Sequence, residues 1–131
     1  MSILQNENAR ESRTVVFDPT RLATLLDLED DGDASMIKDI AAQFVEDILG
    51  VMDRIETALG AGDFARIASA AHTVKGGAAT FGLYQVEKIA RELEACAKDP
   101  ARRESLRTVC ESLRSAFAAG REALENYLAE R

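Results

Sequence analysis

Apolar residues recur along this chain at alternating steps of three and four, the spacing that gathers side chains on one face of an α-helix. From about residue 34 to 59 the stripe is Ile37, Ala41, Phe44, Ile48, Val51 and Ile55. Phe64, Ile67, Ala71, Val74, Ala78 and Phe81 form a second, and Val86, Ile89, Leu93 and Cys96 a third, over about 84 to 97. Leu106, Cys110, Leu113, Phe117 and Leu124 form a fourth. The breaks between them carry helix-stop chemistry. Gly60-Ala61-Gly62-Asp63 closes the first, and Asp63 is placed to cap the next by accepting from its first-turn amides. Asp99-Pro100 ends the third, because proline cannot continue the helical hydrogen bonding of the residues before it.

A shorter helix comes first. Asp18 reads as its cap and Pro19 as its first-turn proline, Leu22, Leu25 and Leu26 lie on one side, and Asp30-Asp31-Gly32-Asp33 ends it. Residues 1–17 are polar, mixed in charge and aperiodic, the pattern of a flexible arm, which leaves 18–131 as the domain. Four amphipathic helices joined by short turns predict an all-α fold, an antiparallel up-down four-helix bundle with the short extra N-terminal helix over one end. Met36 and Ile40 widen the apolar surface of the first long helix beyond its stripe. That width suits either a partner's docking surface or ordinary core burial.

Composition sharpens this picture without changing it. A length of 131 residues and 47% apolar content fit one domain with a substantial core, and 5% aromatic residues with no Trp favour helices over sheets. The net charge of −7 argues against nucleic acid, whose phosphates call for a basic face. No apolar run approaches a membrane span and the N-terminus lacks the basic-then-apolar pattern of a signal peptide, so a soluble, cytoplasmic protein without membrane association is expected. Cys96 and Cys110 read as reduced, core-facing helical residues, and the absence of Cys-x-x-Cys or clustered His leaves no metal site in view.

The chemistry concentrates at one residue. His72 is the single histidine of the chain and points away from the Phe64 to Phe81 stripe. Its neighbours at helical spacings are Ala65, Ala68, Ser69, Lys75, Gly76 and Ala79, nearly all small where a solvated face usually carries long charged side chains. Gly76 and Gly77 each cost a helix about 1 kcal/mol relative to Ala, and access to the histidine is the expected reason for them. An imidazole can accept a phosphoryl group only when its nitrogen is unprotonated, exposed and aimed along the line of transfer. Lys75, one turn on, can neutralise charge on such a group, and Gly76 leaves room for its oxygens. Glu94 lies twelve residues after Gly82 and His72 ten before it, so on antiparallel helices the two reach about the same height. There Glu94 either holds one ring nitrogen or simply pairs with Lys98 at i+4.

The run Ala70-Ala71-His72-Thr73-Val74-Lys75-Gly76-Gly77-Ala78-Ala79, followed by Leu83 to Glu94, resembles the histidine-containing phosphotransfer domains of bacterial two-component phosphorelays. The family's pattern is a His, a Lys three residues later, a Gly four later and a second Gly about ten later. It falls on His72, Lys75, Gly76 and Gly82, and the resemblance spans about 18 to 128, strongest over 64 to 97. It implies a phosphocarrier that takes its phosphoryl group on His72 from a receiver-domain aspartate or a hybrid histidine kinase. In the family a Glu or Gln at the position of Glu94 bonds the ring nitrogen that is not phosphorylated. The resemblance further implies a monomer with no cofactor of its own, Mg²⁺ being supplied by the response-regulator receiver.

No Gly-rich nucleotide motif is present, so the chain is not expected to be an enzyme that phosphorylates itself. Other classes make different demands. A non-phosphorylated adaptor bundle that sequesters a receiver or kinase would not need His72 and Lys75, whereas an acid-base enzyme would need a pocket of convergent polar groups. A place within a larger chemotaxis-type kinase would need further domains.

Overall fold

The computed structural model describes residues 16–28 and 34–131, and among them every regular element is helical. In chain order these are α1 (Thr20–Asp27), α2 (Ser35–Ala61), α3 (Phe64–Phe81), α4 (Tyr84–Lys98), a 3-10 turn (Pro100–Ser105) and α5 (Leu106–Ala129). The long helices pack as α2 on α3, α3 on α4, α4 on α5 and α5 back on α2, which closes a four-helix bundle, and α1 lies against α3. Two-residue links, Gly62-Asp63 and Gly82-Leu83, reverse the chain on either side of α3 and make its neighbours antiparallel.

The apolar stripes form the core. All six residues of the α2 stripe and all five of the α5 stripe are buried. In α3 and α4 the stripes hold except at Phe64 and Ile89, which are half-buried at the margin of the core. Cys96 and Cys110 are buried free thiols. Near the α1 end Phe44 of α2 stacks on Phe81 of α3 at 4.4 Å between ring centroids, and Phe117 of α5 meets it edge-on at 6.3 Å. Gly77 serves this aromatic cluster: a Cβ there would stand 2.7 Å from Cε1 of Phe44. Close packing, not access, is therefore its reason, which corrects the expectation for one of the two helical glycines.

An eight-residue helix has little stability of its own, so α1 depends on what ties it down. Of its three leucines only Leu22 is fully buried, a contribution of roughly 2 kcal/mol, while Leu26 is half-buried and Leu25 faces solvent. Asp18 caps it as an Asx turn, its Oδ1 accepting from the amide and hydroxyl of Thr20 at 2.9 and 2.6 Å, with Pro19 at the N-cap position. The Asp18 amide donates to the Gly82 carbonyl at 2.9 Å, and Arg21 donates to the Ala79 carbonyl. Gly82 has φ +74°, and a Cβ on it would overlap the Asp18 carbonyl, so glycine is required there twice over. Phe17, placed by sequence in the arm, packs edge-on against Tyr127 of α5 at 5.5 Å. The rest of the expected arm, residues 1–15, and the Asp30 to Asp33 stop lie outside the described residues.

Candidate functional site

α3 is fixed at both ends, and that determines which way His72 points. Asp63 Oδ1 accepts from the Arg66 amide at 3.2 Å, and Gly62 and Gly82 end α2 and α3 in the left-handed conformation. With Ile67, Ala71, Val74 and Ala78 turned inward, His72 lies on the outer face with 66% of its side chain exposed.

α4 brings up the carboxylate. Val86, Ala90, Leu93 and Ala97 are buried, and Glu94, next to Leu93, emerges at the α3 side with its side chain only 13% exposed. Its Oε1 accepts from Lys75 Nζ at 3.0 Å and its Oε2 from Lys98 Nζ at 3.1 Å. His72 Nδ1 stands 3.3 Å from Oε2 and 3.4 Å from Oε1. Those two contacts are just beyond the ordinary N–H···O range of about 2.7–3.2 Å, so the lysines hold the carboxylate more closely than the imidazole does. The bond from Lys75, opposed by burial and reinforced by Lys98, pulls the Glu94 carboxyl down from 4.5 to about 2. A carboxylate ionised at every working pH only accepts hydrogen bonds, so the ring proton of a neutral His72 belongs on Nδ1 and the lone pair on Nε2, away from Glu94.

His72, Lys75 and Glu94 thus come together, with Gly76 on the exposed flank, where an added Cβ would meet nothing within 4 Å. Of the two sequence readings of Glu94, the i+4 pairing with Lys98 is present at 3.1 Å, and the imidazole stands 3.3 Å from the same carboxylate. Lys75 faces Glu94, not open solvent, and is 26% exposed. Beside the histidine a shallow trough of about 580 Å³ runs toward the start of α3, floored by small residues such as Ala68 and Ala97 and bounded by Lys98, Phe64 and Arg103. Sequence reasoning missed Arg103, because it sits in the 3-10 turn, whose position no periodicity reports. The Asx turn of Asp99, accepting from the Ala101 amide at 3.0 Å, is the one local signal for it.

A helical bundle that presents one histidine over a carboxylate and two lysines has the form of a phosphoryl carrier. The model of the Hpt domain family matches residues 39–130, and the chain belongs to that family. Two solved structures share the fold. The histidine-containing phosphotransfer protein B (HptB) of Pseudomonas aeruginosa PAO1 superposes with a TM-score of 0.77 at 24% identity, over 90% of this chain and 98% of its own. The histidine-containing phosphotransfer domain of ArcB from Escherichia coli gives 0.72 at 23% identity, over 88% and 94%. No significant match was found among curated proteins. Family membership assigns the chain a phosphotransfer function in two-component signalling, as a phosphocarrier among receiver domains and histidine kinases. Among the described residues no helix is long and apolar enough to cross a membrane.

Proposed function

We propose that Nε2 of His72 accepts a phosphoryl group from a receiver-domain aspartate or a histidine kinase and passes it on to a receiver aspartate. The observation that carries this reading is the outward imidazole with Nδ1 turned to an ionised Glu94, which leaves Nε2 as the exposed nucleophile. In the forward step Nε2 attacks the phosphorus of the aspartyl phosphate, the acyl–phosphate bond breaks to the aspartate, and a phosphoramidate forms. Glu94 balances the positive charge of the substituted ring through the proton on Nδ1. Lys75, held between Glu94 and the outer face, supplies charge to the phosphoryl oxygens, and Gly76 keeps their approach clear. Mg²⁺ comes with the receiver, and the chain works as a cytoplasmic monomer without a cofactor of its own.

Docking would use the apolar surface at the α1 end, where Leu25, Leu28, Met36 and Ile40 are exposed at 37%, 76%, 65% and 49%. Of the two sequence readings for Met36 and Ile40, exposure favours the partner-facing one.

The test is phosphate exchange with candidate phosphorylated receivers. The wild-type chain is expected to take up acid-labile label and His72→Gln to take up none while keeping its helicity. Label that resists acid, or that persists in the Gln variant, would overturn the proposal. Receiver binding without any label would favour an adaptor instead.

A further inference from the structure

The trough beside His72 ends in a cation that the transfer chemistry leaves unused. Arg103 lies with Cζ 3.9 Å from the centroid of the Phe64 ring, and its Nε donates to the Ala97 carbonyl at 3.4 Å. Ring and carbonyl together fix the guanidinium on the end wall of the trough. Arg66, Arg91, Arg114 and Arg121 are each paired with a carboxylate of the chain itself. For Arg103 no carboxylate among the described residues takes that place, and the residue lines the trough. Lys98 forms the flank, 65% exposed.

The position of this cation matters because of the charge of both partners. The chain carries −7, and the aspartyl phosphate it has to meet is itself an anion. Like charges would slow their encounter unless the contact region itself is positive. Phe64 is eight residues before His72 on α3, which sets the two about 12 Å apart along the helix axis. That separation lets a second acidic side chain of the receiver enter the trough while its aspartate meets Nε2. The floor of alanines admits such a side chain without a clash, and the guanidinium offers two parallel donors to a carboxylate.

We infer that this trough is a specificity subsite that seats an acidic side chain of the receiver domain, its carboxylate taken by Arg103 with Lys98 at the flank. The inference rests on the phosphotransfer reading above. It assigns Arg103 to partner selection and not to the phosphoryl group.

The experiment follows phosphoryl transfer from the labelled full chain to a receiver domain that exchanges phosphate with the wild type, as a function of receiver concentration. Arg103→Met, which keeps an apolar stem over Phe64, is expected to raise the half-saturating receiver concentration about tenfold. Arg103→Glu should raise it further, and added salt should relieve part of that loss by screening the new repulsion. The maximal rate at saturation and the lifetime of the phosphorylated histidine should stay within twofold of wild type in both. An unchanged half-saturating concentration in both variants would overturn the inference, as would a fall confined to the maximal rate or the lifetime. Melting curves check folding, and if the Glu variant unfolds, the Met variant alone decides. A wild-type chain that takes no label from any receiver would instead bring down the functional proposal itself.

Discussion

Gly76 and Gly77 are adjacent in one helix, yet alanine should move stability in opposite directions at the two. Either substitution recovers about 1 kcal/mol of helix propensity, since glycine loses that much relative to alanine in a helix interior. At Gly76 nothing opposes the gain, because the new methyl would find no atom within 4 Å. At Gly77 the methyl would stand 2.7 Å from Phe44 Cε1, some 0.7 Å inside ordinary contact at about 3.4 Å. The Phe44 ring has little freedom to retreat, stacked on Phe81 and bounded edge-on by Phe117. Overpacking of this kind costs about 1–3 kcal/mol, which at its midpoint outweighs the propensity gain by about 1 kcal/mol. For a domain of this size 1 kcal/mol corresponds to roughly 4 °C in Tm. Thermal unfolding followed by circular dichroism should therefore show Gly76→Ala about 4 °C above wild type and Gly77→Ala about 4 °C below. Equal upward shifts would refute the assignment of Gly77 to aromatic packing. A Gly76→Ala protein no more stable than wild type would show that its open surroundings are not what they appear. Gly76→Glu completes the set: it should retain the fold and stop transfer, because a carboxylate there repels the incoming phosphoryl oxygens.

Glu94 is held near pKa 2 against an ordinary 4.5, so its ionised form stabilises the fold fully above pH 4.5 and that contribution is lost as pH falls toward 2. Because Lys98 is largely exposed, screening limits the contribution to about 1 kcal/mol, and Glu94→Gln should flatten that part of the pH–stability curve measured by urea unfolding. Lys75→Ala should slow single-turnover transfer at least tenfold while receiver affinity stays unchanged, and equal losses in both would make Lys75 a docking residue. Burial, aided by the charge of Glu56, pushes the Cys110 thiol up to about 11, so a disulfide reagent at pH 8 should label it only under unfolding conditions.

The bundle was legible in the sequence because each long helix buries one regular stripe, and the heights of His72 and Glu94 could be counted through a turn of known length. Contacts made between distant parts of the chain could not be counted in this way. The role of Gly77 depends on a ring from α2, and the place of Arg103 depends on a 3-10 turn folding back over Phe64. Lys75 was legible as a neighbour of His72 but not as a ligand of Glu94, since the choice between solvent and carboxylate is made by side-chain reach across two helices. Leu25 lies in a short helix with a buried leucine and Leu28 just after it, and only the packing of that helix shows that both remain uncovered.

The two-residue link between α3 and α4 has a consequence for how chains of this kind can diverge. Glu94 meets His72 because Gly82-Leu83 sets the register of one helix against the other, and each residue added to α4 before Glu94 would advance its side chain by about 100° and 1.5 Å. A single insertion there would carry the carboxylate off the histidine and turn Leu93 and Cys96 off the core with it. The segment between α4 and α5 sets no height between His72 and Glu94, and a change in its length would displace Arg103 from Phe64 instead. Length variation should therefore spare the meeting of His72 and Glu94 when it falls after Lys98 and disrupt it when it falls between Phe81 and Tyr84, so that a two-residue loop acts as the ruler of the site.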